Sequence, residues 1–390
     1  MPGAGGRIRV CHVLEATEGG TRQYLMDACL GLPADRFQQT AVVSVRRDPT
    51  FEQDIQRLRE GDVAVEVVDM VREVSWRQDL RALRELRRYF AEHAFDIIHA
   101  HSSKAGMLAR LAAWRAGNPA ARIYSPHAFA FTMDVSRWRQ VLYLLAERLA
   151  GRITDILICT CDSERELAVR HRIVPPGRAV VVRTGVDLRV FHPGSEGHRV
   201  RREMDLPDRH RLVGSVGAMV EQKGHRFLVE AAPLVLEEMP HTTFVLAGDG
   251  ALRAELQERA AALALGRRMR FLGHRDDVPR ILAALDLFVM PSLWEGMPYA
   301  LVEAMAVGLP VVGSAVPGIV DLIEPGRTGW LAPPADAEGL AAGILQALRE
   351  EGVSARMAQA GRDLVVREHS RERMLAALAG IYERVAEDRS

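Results

Sequence analysis

Twice along the chain, short β-branched apolar runs alternate with amphipathic stretches of helical period, and a break separates the two series. Nothing else in the sequence constrains the fold as much. Consecutive parallel strands need a crossover long enough to hold a helix, so strand–helix repetition builds a parallel sheet covered on both faces. In the first series "RIRVCHVLEA" (7–16) reads as a strand, and a helix opens after "TEGGT". "QTAVVSV", "AVEVVDM", "FDIIHAHS", "RIYSPHAF" and "DILICTC" follow as strands, and "RAVVVRTGVD" closes the series. "RQDLRALRELRRYF" (77–90) sets Leu80, Leu83, Leu86 and Phe90 on one helical face and Arg77, Arg81, Arg84 and Arg88 on another. The second series contains "RLVGSVGAM", "HRFLVEAAPLVLEEM", "TFVLAGDG", "MRFLGH", "VPRILAAL", "DLFVMPS" and "PVVGSAV", then a helix near 336–350.

The break, "FHPGSEGHRVRREMDLPDRH" (191–210), is dense in Pro, Gly and charge and reads as an inter-domain linker. The expected fold is therefore α/β with two Rossmann-like domains, over 1–192 and 193–369, and an amphipathic C-terminal helix over 370–390. A chain of 390 residues is long for one core and comfortable for two.

Charges balance at 51 basic against 51 acidic, and nothing calls for a nucleic-acid partner. The balance hides a mild asymmetry: residues 1–190 carry 28 Lys and Arg against 23 Asp and Glu. Only Lys104 and Lys223 are lysines, so a compact ammonium is informative where it survives. Cys11, Cys29, Cys159 and Cys161 show neither metal spacing nor a disulfide framework. With no secretory leader and no apolar run near membrane-spanning length, the expected location is the cytoplasm.

The stretch richest in chemistry is "WEGMPYALVEAMAVG" (294–308). It reads as a buried helix, yet it carries Glu295 just ahead of it and Glu303 within it. The loop follows a strand, so it lies at the carboxyl edge of a parallel sheet, where such folds bind ligands. Gly296 permits close backbone approach, Pro298 suits a first turn, and Gly308 suits a stop. The first free N–H groups, of Tyr299, Ala300 and Leu301, then form an anion site. Carboxylates do not bind phosphate; they accept hydrogen bonds from hydroxyls. A diphosphate flanked by two polyhydroxylated rings satisfies both, which describes a nucleotide sugar. A capping acid and a salt-bridged glutamate are the plain alternative.

"EGMPYALVE" resembles the Glu-x7-Glu motif of family-4 retaining glycosyltransferases. The likeness continues in "EGGTRQYL", "HAHSSKAG", "SPHAFAF", "RTGVDLRVFHP", "QKGH", "LAGDG", "LGHRDDV" and "GIVDLIEPGRTGWL", all in order. The resemblance implies a GT-B fold, two Rossmann-like domains facing a cleft, with the C-terminal helix crossing back to the first. It implies that Glu295 grips donor-sugar hydroxyls, that Glu303 holds the ribose, and that Lys223 neutralises the diphosphate, with Gly217, Gly296, Met297, Tyr299, Ala300 and Leu301 lining the donor site. Ala218 stands where the family usually has an arginine, a charge-assisted contact worth about 1.5–3 kcal/mol.

In the first domain, Gly19 and Gly20 let main-chain amides approach phosphate, a plain tight turn being the alternative. The resemblance implies that His127 contacts the transferred sugar near its anomeric carbon, a packed core histidine being the alternative. Lys104 is the candidate contact for an anionic acceptor, with a solvated loop lysine the other reading. No Asp-x-Asp implies a bridging metal, no acid/base pair is spaced for glycoside hydrolysis, and no cofactor beyond the nucleotide-sugar substrate is expected. The family's chemistry is same-face attack with retention, the departing diphosphate accepting the proton.

"SRWRQVLYLLAERLAGR" (136–152) combines Trp138, Leu142, Leu145 and Leu149 with Arg137, Arg139, Arg148 and Arg152. It reads either as a crossover helix packed on the sheet, the favoured reading, or as a helix lying on an anionic membrane near a lipid-linked acceptor. The expected function is sugar transfer from a UDP-sugar, or from GDP-mannose, to a saccharide or lipid-linked acceptor in bacterial cell-surface polysaccharide synthesis. A GT-B-type epimerase and a non-catalytic nucleotide-sugar-binding protein are the alternatives.

Overall fold

Parallel pairing runs through both series of strands. The computed structural model describes residues 6–48, 50–71, 74–194, 196–207 and 210–389. The chain forms two units, one of Met1–Thr184 with Glu372–Ser390, the other of Gly185–Arg371.

The first unit begins with β1 (Ile8–Leu14), α1 (Gly19–Gly31), β2 (Phe37–Val43), α2 (Phe51–Glu60), β3 (Ala64–Val67) and α3 (Trp76–Glu92). It continues with β4 (Ile97–His101), α4 (Ser103–Ala116), β5 (Ala121–Ser125), α5 (Arg137–Gly151), β6 (Ile156–Cys159), α6 (Asp162–Arg170) and β7 (Ala179–Val181). The strand order is β3-β2-β1-β4-β5-β6-β7. All of β4 and the last five residues of β1 are buried, as expected of central strands covered on both faces.

The second unit comprises α7 (Gly197–Glu203), β8 (Arg211–Val216), α8 (His225–Glu238), β9 (Thr242–Ala247), α9 (Arg253–Ala262) and β10 (Met269–Gly273). Then come α10 (Val278–Ala284), β11 (Leu287–Met290), α11 (Tyr299–Val307), β12 (Val311–Ser314), β13 (Trp330–Ala332), α12 (Ala337–Arg349) and α13 (Glu351–Glu368). Its strand order is β10-β9-β8-β11-β12-β13. The last helix, α14 (Arg371–Glu387), returns to the first unit, where the Tyr382 hydroxyl lies 2.6 Å from His99 Nδ1.

Two local readings need correction. The stretch read as linker holds α7, and Arg201 ties it down by donating to the Ala284 carbonyl at 2.8 Å and to Asp286 at 2.5 Å. Ser195, Asp208 and Arg209 of that stretch lie outside the described residues. The helix after β1 opens inside "TEGGT", at Gly19, not after it. Two elements had no sequence reading, β13 and the 18-residue α13. Gly361 weakens the periodicity of α13; it faces α11, where an added Cβ would come within 2.9 Å of the Met305 terminal methyl.

Candidate functional site

The second sheet reverses its strand order between β8 and β11, and the loops after these two strands carry the chemistry. After β8 the chain passes Gly217 and makes a 3-10 turn, Glu221–Lys223, ended by Gly224 at φ +59°. A Cβ on Gly224 would sit 2.0 Å from the Pro291 carbonyl, so only glycine lets this turn press against the loop after β11. Two hydrogen bonds fasten the loops together: Leu293 N–H donates to the Gln222 carbonyl at 2.8 Å, and Gln222 Nε2 to the Trp294 carbonyl at 3.1 Å.

The result is an ion pair that the sequence did not foretell. Lys223 Nζ stands 2.7 Å from Glu295 Oε1, with side chains 21% and 5% exposed. Ser292 Oγ donates to the same oxygen at 2.8 Å, while among the described residues Oε2 receives only Gln222 Nε2, at 3.3 Å. A carboxylate offers about four lone-pair positions and an ammonium three donors, so each partner keeps capacity for a ligand without breaking the pair.

Around it, Gly296 and Met297 are buried, and Tyr299, Ala300 and Glu303 are half-buried along the first turns of α11. Pro298 is the N-cap and Gly308, at φ +88°, the C-cap. One expectation fails: the Leu301 N–H is not free, because it turns back onto the Pro298 carbonyl at 3.2 Å. Gly318, at φ +79°, packs so tightly on the Gly296 carbonyl that a Cβ would fall 1.4 Å from its oxygen. Ala218 is exposed, and its neighbour Met219 is clasped by the Asp249–Leu252 turn through bonds of 2.8 and 2.9 Å.

The first sheet reverses between β1 and β4, and the remaining candidates gather at its carboxyl edge. Gly19 and Gly20 are exposed at the start of α1, Gly19 at φ +55°. Lys104 is neither solvated nor available as a bare charge, since Asp79 holds it at 2.6 Å and it is 14% exposed. His127 follows β5 with φ +54°, and Ala128 has φ +107°. Such geometry costs about 1–3 kcal/mol per residue and persists only where neighbours over-determine it. The Ala128 N–H donates to Glu164 Oε1 at 2.9 Å, and Glu164 Oε2 is itself fixed by the Thr160 N–H at 2.7 Å. Ser102, at φ +64° and ψ +159°, is a third strained residue on this edge. Its hydroxyl faces the buried Glu15 at 3.3 Å, and burial raises that carboxyl above its ordinary pKa.

Sequence reasoning passed over a row of buried histidines behind His127. His12 and His99 are register partners on β1 and β4, and His101 lies two residues on, so period-2 geometry puts all three on one face. The signal was present in "VCHVL" and "IIHAH", histidines at strand spacing within apolar runs. Burial lowers all their pKa values, to about 4 for His12 and likewise about 4 for His127.

Helix α5 is the crossover between the paired parallel strands β5 and β6, as favoured, but most of its apolar stripe faces outward. Trp138, Val141, Leu142, Leu145 and Leu149 are 48–64% exposed, while Glu147 is turned inward. Glu147 meets Arg110 at 3.1 Å and accepts the Tyr124 hydroxyl at 2.8 Å, so an internal ion pair, together with Leu144 against the core, docks the helix. Among the described residues, no helix is long and apolar enough to cross a membrane.

Comparison with known proteins agrees with this architecture. Residues 19–185 match the family described as "Glycosyl transferase 4-like domain", and residues 210–350 the family "Glycosyl transferases group 1". The chain is 34% identical over 269 residues to the Escherichia coli UDP-Gal:alpha-D-GlcNAc-diphosphoundecaprenol alpha-1,3-galactosyltransferase, covering 68% of this chain and 69% of that one. It is 28% identical over 309 residues to the Bacillus subtilis putative glycosyltransferase EpsD, covering 78% and 81%. Among solved structures, Anabaena HepE in complex with UDP-glucose shares the fold with a TM-score of 0.80 at 21% identity, covering 97% of this chain and all of that one. Both halves of the protein thus carry the marks of one group: the chain belongs to the family-4 glycosyltransferases of the GT-B fold.

Proposed function

We propose that this glycosyltransferase moves a sugar from a UDP-sugar to a saccharide or lipid-linked acceptor, with retention of anomeric configuration and without a metal ion, at the inner face of a membrane. One observation carries the reading: Lys223 and Glu295 are locked together at 2.7 Å at the switch point of the second sheet, each with hydrogen-bonding capacity left over. In this reading Lys223 offers its remaining N–H donors to the diphosphate and stabilises the charge that develops as it leaves. Glu295 Oε2 accepts from donor-sugar hydroxyls, Glu303 from the ribose, and the Gly217 loop and the tip of α11 at Tyr299 and Ala300 approach the phosphates. His127 meets the sugar, and the leaving diphosphate takes the acceptor's proton, so no covalent nucleophile is required.

The uridine preference is supported by the name of the Escherichia coli relative and by the HepE complex with UDP-glucose. GDP-mannose is the competing donor. The membrane assignment is supported by α5, whose exposed leucines and Trp138 are flanked by Arg137, Arg139, Arg148 and Arg152, a face suited to anionic lipid.

The decisive assay incubates the protein with UDP- and GDP-sugars, with and without lipid-diphosphate-linked saccharides, in the presence of a chelator. Transfer from the uridine donor, an unchanged anomer in the product's proton coupling and indifference to chelator are expected. An isomerised donor, inverted product or chelator-abolished turnover would each overturn the corresponding part. Flotation with vesicles rich in anionic lipid tests the membrane clause; absence of binding at low salt removes it.

A further inference from the structure

Behind His127 runs an unbroken chain of side-chain hydrogen bonds. Gln39 Oε1 lies 3.1 Å from His12 Nε2, His12 Nδ1 lies 3.0 Å from His101 Nε2, and His101 Nδ1 lies 3.1 Å from His127 Nε2. His12 and His101 are 0% and 1% exposed, and Gln39 6%, so water does not interrupt the series. We propose that Gln39, His12 and His101 are positioning residues that fix the tautomer of His127, leaving its Nδ1 as a bare lone pair that accepts a hydrogen bond from a sugar hydroxyl.

The direction follows from counting protons. A neutral imidazole has one N–H and one lone pair. The Gln39 amide stands with its carbonyl oxygen toward His12, an orientation in which it can only accept, so His12 carries its proton on Nε2. His12 Nδ1 is then an acceptor, and His101 must donate from Nε2. His101 Nδ1 is in turn an acceptor, and His127 donates from Nε2. One proton sits in each gap, and none is left for His127 Nδ1. That nitrogen takes no hydrogen bond from any described residue. Burial depresses the pKa of every histidine in the series, which keeps the chain neutral and its sense of donation single. A fourth histidine, His99, stays outside the series, because Tyr382 and Ser125 occupy its two nitrogens at 2.6 and 2.9 Å.

The same cluster invites a metal reading, since ligand atoms of His12, His99 and His101 lie within 4.8 Å of one another. The hydrogen bonds argue against it. Both nitrogens of all three rings already have partners, and a zinc ion at about 2.0–2.1 Å from each would have to replace those bonds in a buried site.

The proposal rests on the role given to His127 above, but its test does not depend on turnover. In the 15N spectrum of histidine-labelled protein at neutral pH, His127 should show a protonated Nε2 and an unprotonated Nδ1 in a single tautomer. A proton on Nδ1, or a mixture of tautomers, in the wild type overturns the proposal. Gln39→Met removes the terminal acceptor at similar shape, and the His127 signals should then move toward the averaged values of two exchanging forms. Should that variant fold and keep the wild-type tautomer, the chain does not set it and the proposal fails. Zinc bound at one equivalent with loss of the His12–His101 contact overturns it equally. Released tautomers with undiminished transfer leave the chain standing and remove His127 from the reaction, so the two failures are distinct.

Discussion

Glu147 of α5 faces the buried guanidinium of Arg110 at 3.1 Å, and the helix it anchors turns this acid inward and Leu142, Leu145 and Leu149 outward. The pair's side chains are 4% and 1% exposed, deep enough that neither charge survives alone. Glu147→Ala should cost about 3–5 kcal/mol in urea unfolding, because Arg110 is left buried and unpaired. Replacing both, Arg110→Met with Glu147→Leu, should recover much of that loss. Equal loss in single and double variants contradicts this account of how α5 docks.

The outward leucines should matter to membranes and not to folding. Leu142→Asp with Leu145→Asp should leave the melting temperature nearly unchanged, because exposed positions contribute within about 0.5 kcal/mol. The same variant should lose vesicle flotation. A large drop in melting temperature would mean that the stripe packs against protein.

Lys223→Ala and Glu295→Ala should each abolish most sugar transfer with the fold intact by circular dichroism. Each removes a charge-assisted contact worth about 1.5–3 kcal/mol, roughly a 10- to 150-fold effect before loss of the shared geometry is counted. Because the two side chains hold each other at 2.7 Å, the double variant should be little worse than either single one. Undiminished turnover in both single variants removes the site.

Stability should fall on the acid side of neutrality. Burial lowers the His12 pKa from 6.5 to about 4, so the unfolded chain takes up the proton first. This contribution is fully present above pH 6.5 and is lost as pH falls through that value toward about 4. Each such group adds a slope of up to about 1.4 kcal/mol per pH unit, and His99 and His101 are shifted in the same direction. Urea midpoints at pH 8, 6.5 and 5 read it directly; a flat profile disproves it.

Gly318→Ala should disturb the site from the loop after β12. The added Cβ falls 1.4 Å from the Gly296 carbonyl at a backbone angle that favours glycine, so one loop must move. Weakened UDP binding by calorimetry, with unfolding shifted by only a few degrees, is the expected pattern. Unaltered binding would mean that the Gly296 turn has no part in the ligand site.

The strand–helix alternation, the two-domain division and the Glu295–Glu303 motif were legible in the sequence because they rest on local periodicity and on turn chemistry within a few residues. The family likeness was legible for the same reason: motifs in order along the chain. What the linear pattern could not supply was partnership across the sheets. His12 and His101 are 89 residues apart, and Lys223 and Glu295 72; only parallel register and a shared sheet edge bring them to hydrogen-bonding distance. The amphipathic pattern of α5 left its orientation open because periodicity reveals that a helix has an apolar face, not which way it points. In the fold the inward side is the one that carries Glu147, whose carboxylate offsets the desolvation of Arg110, a charge buried in α4.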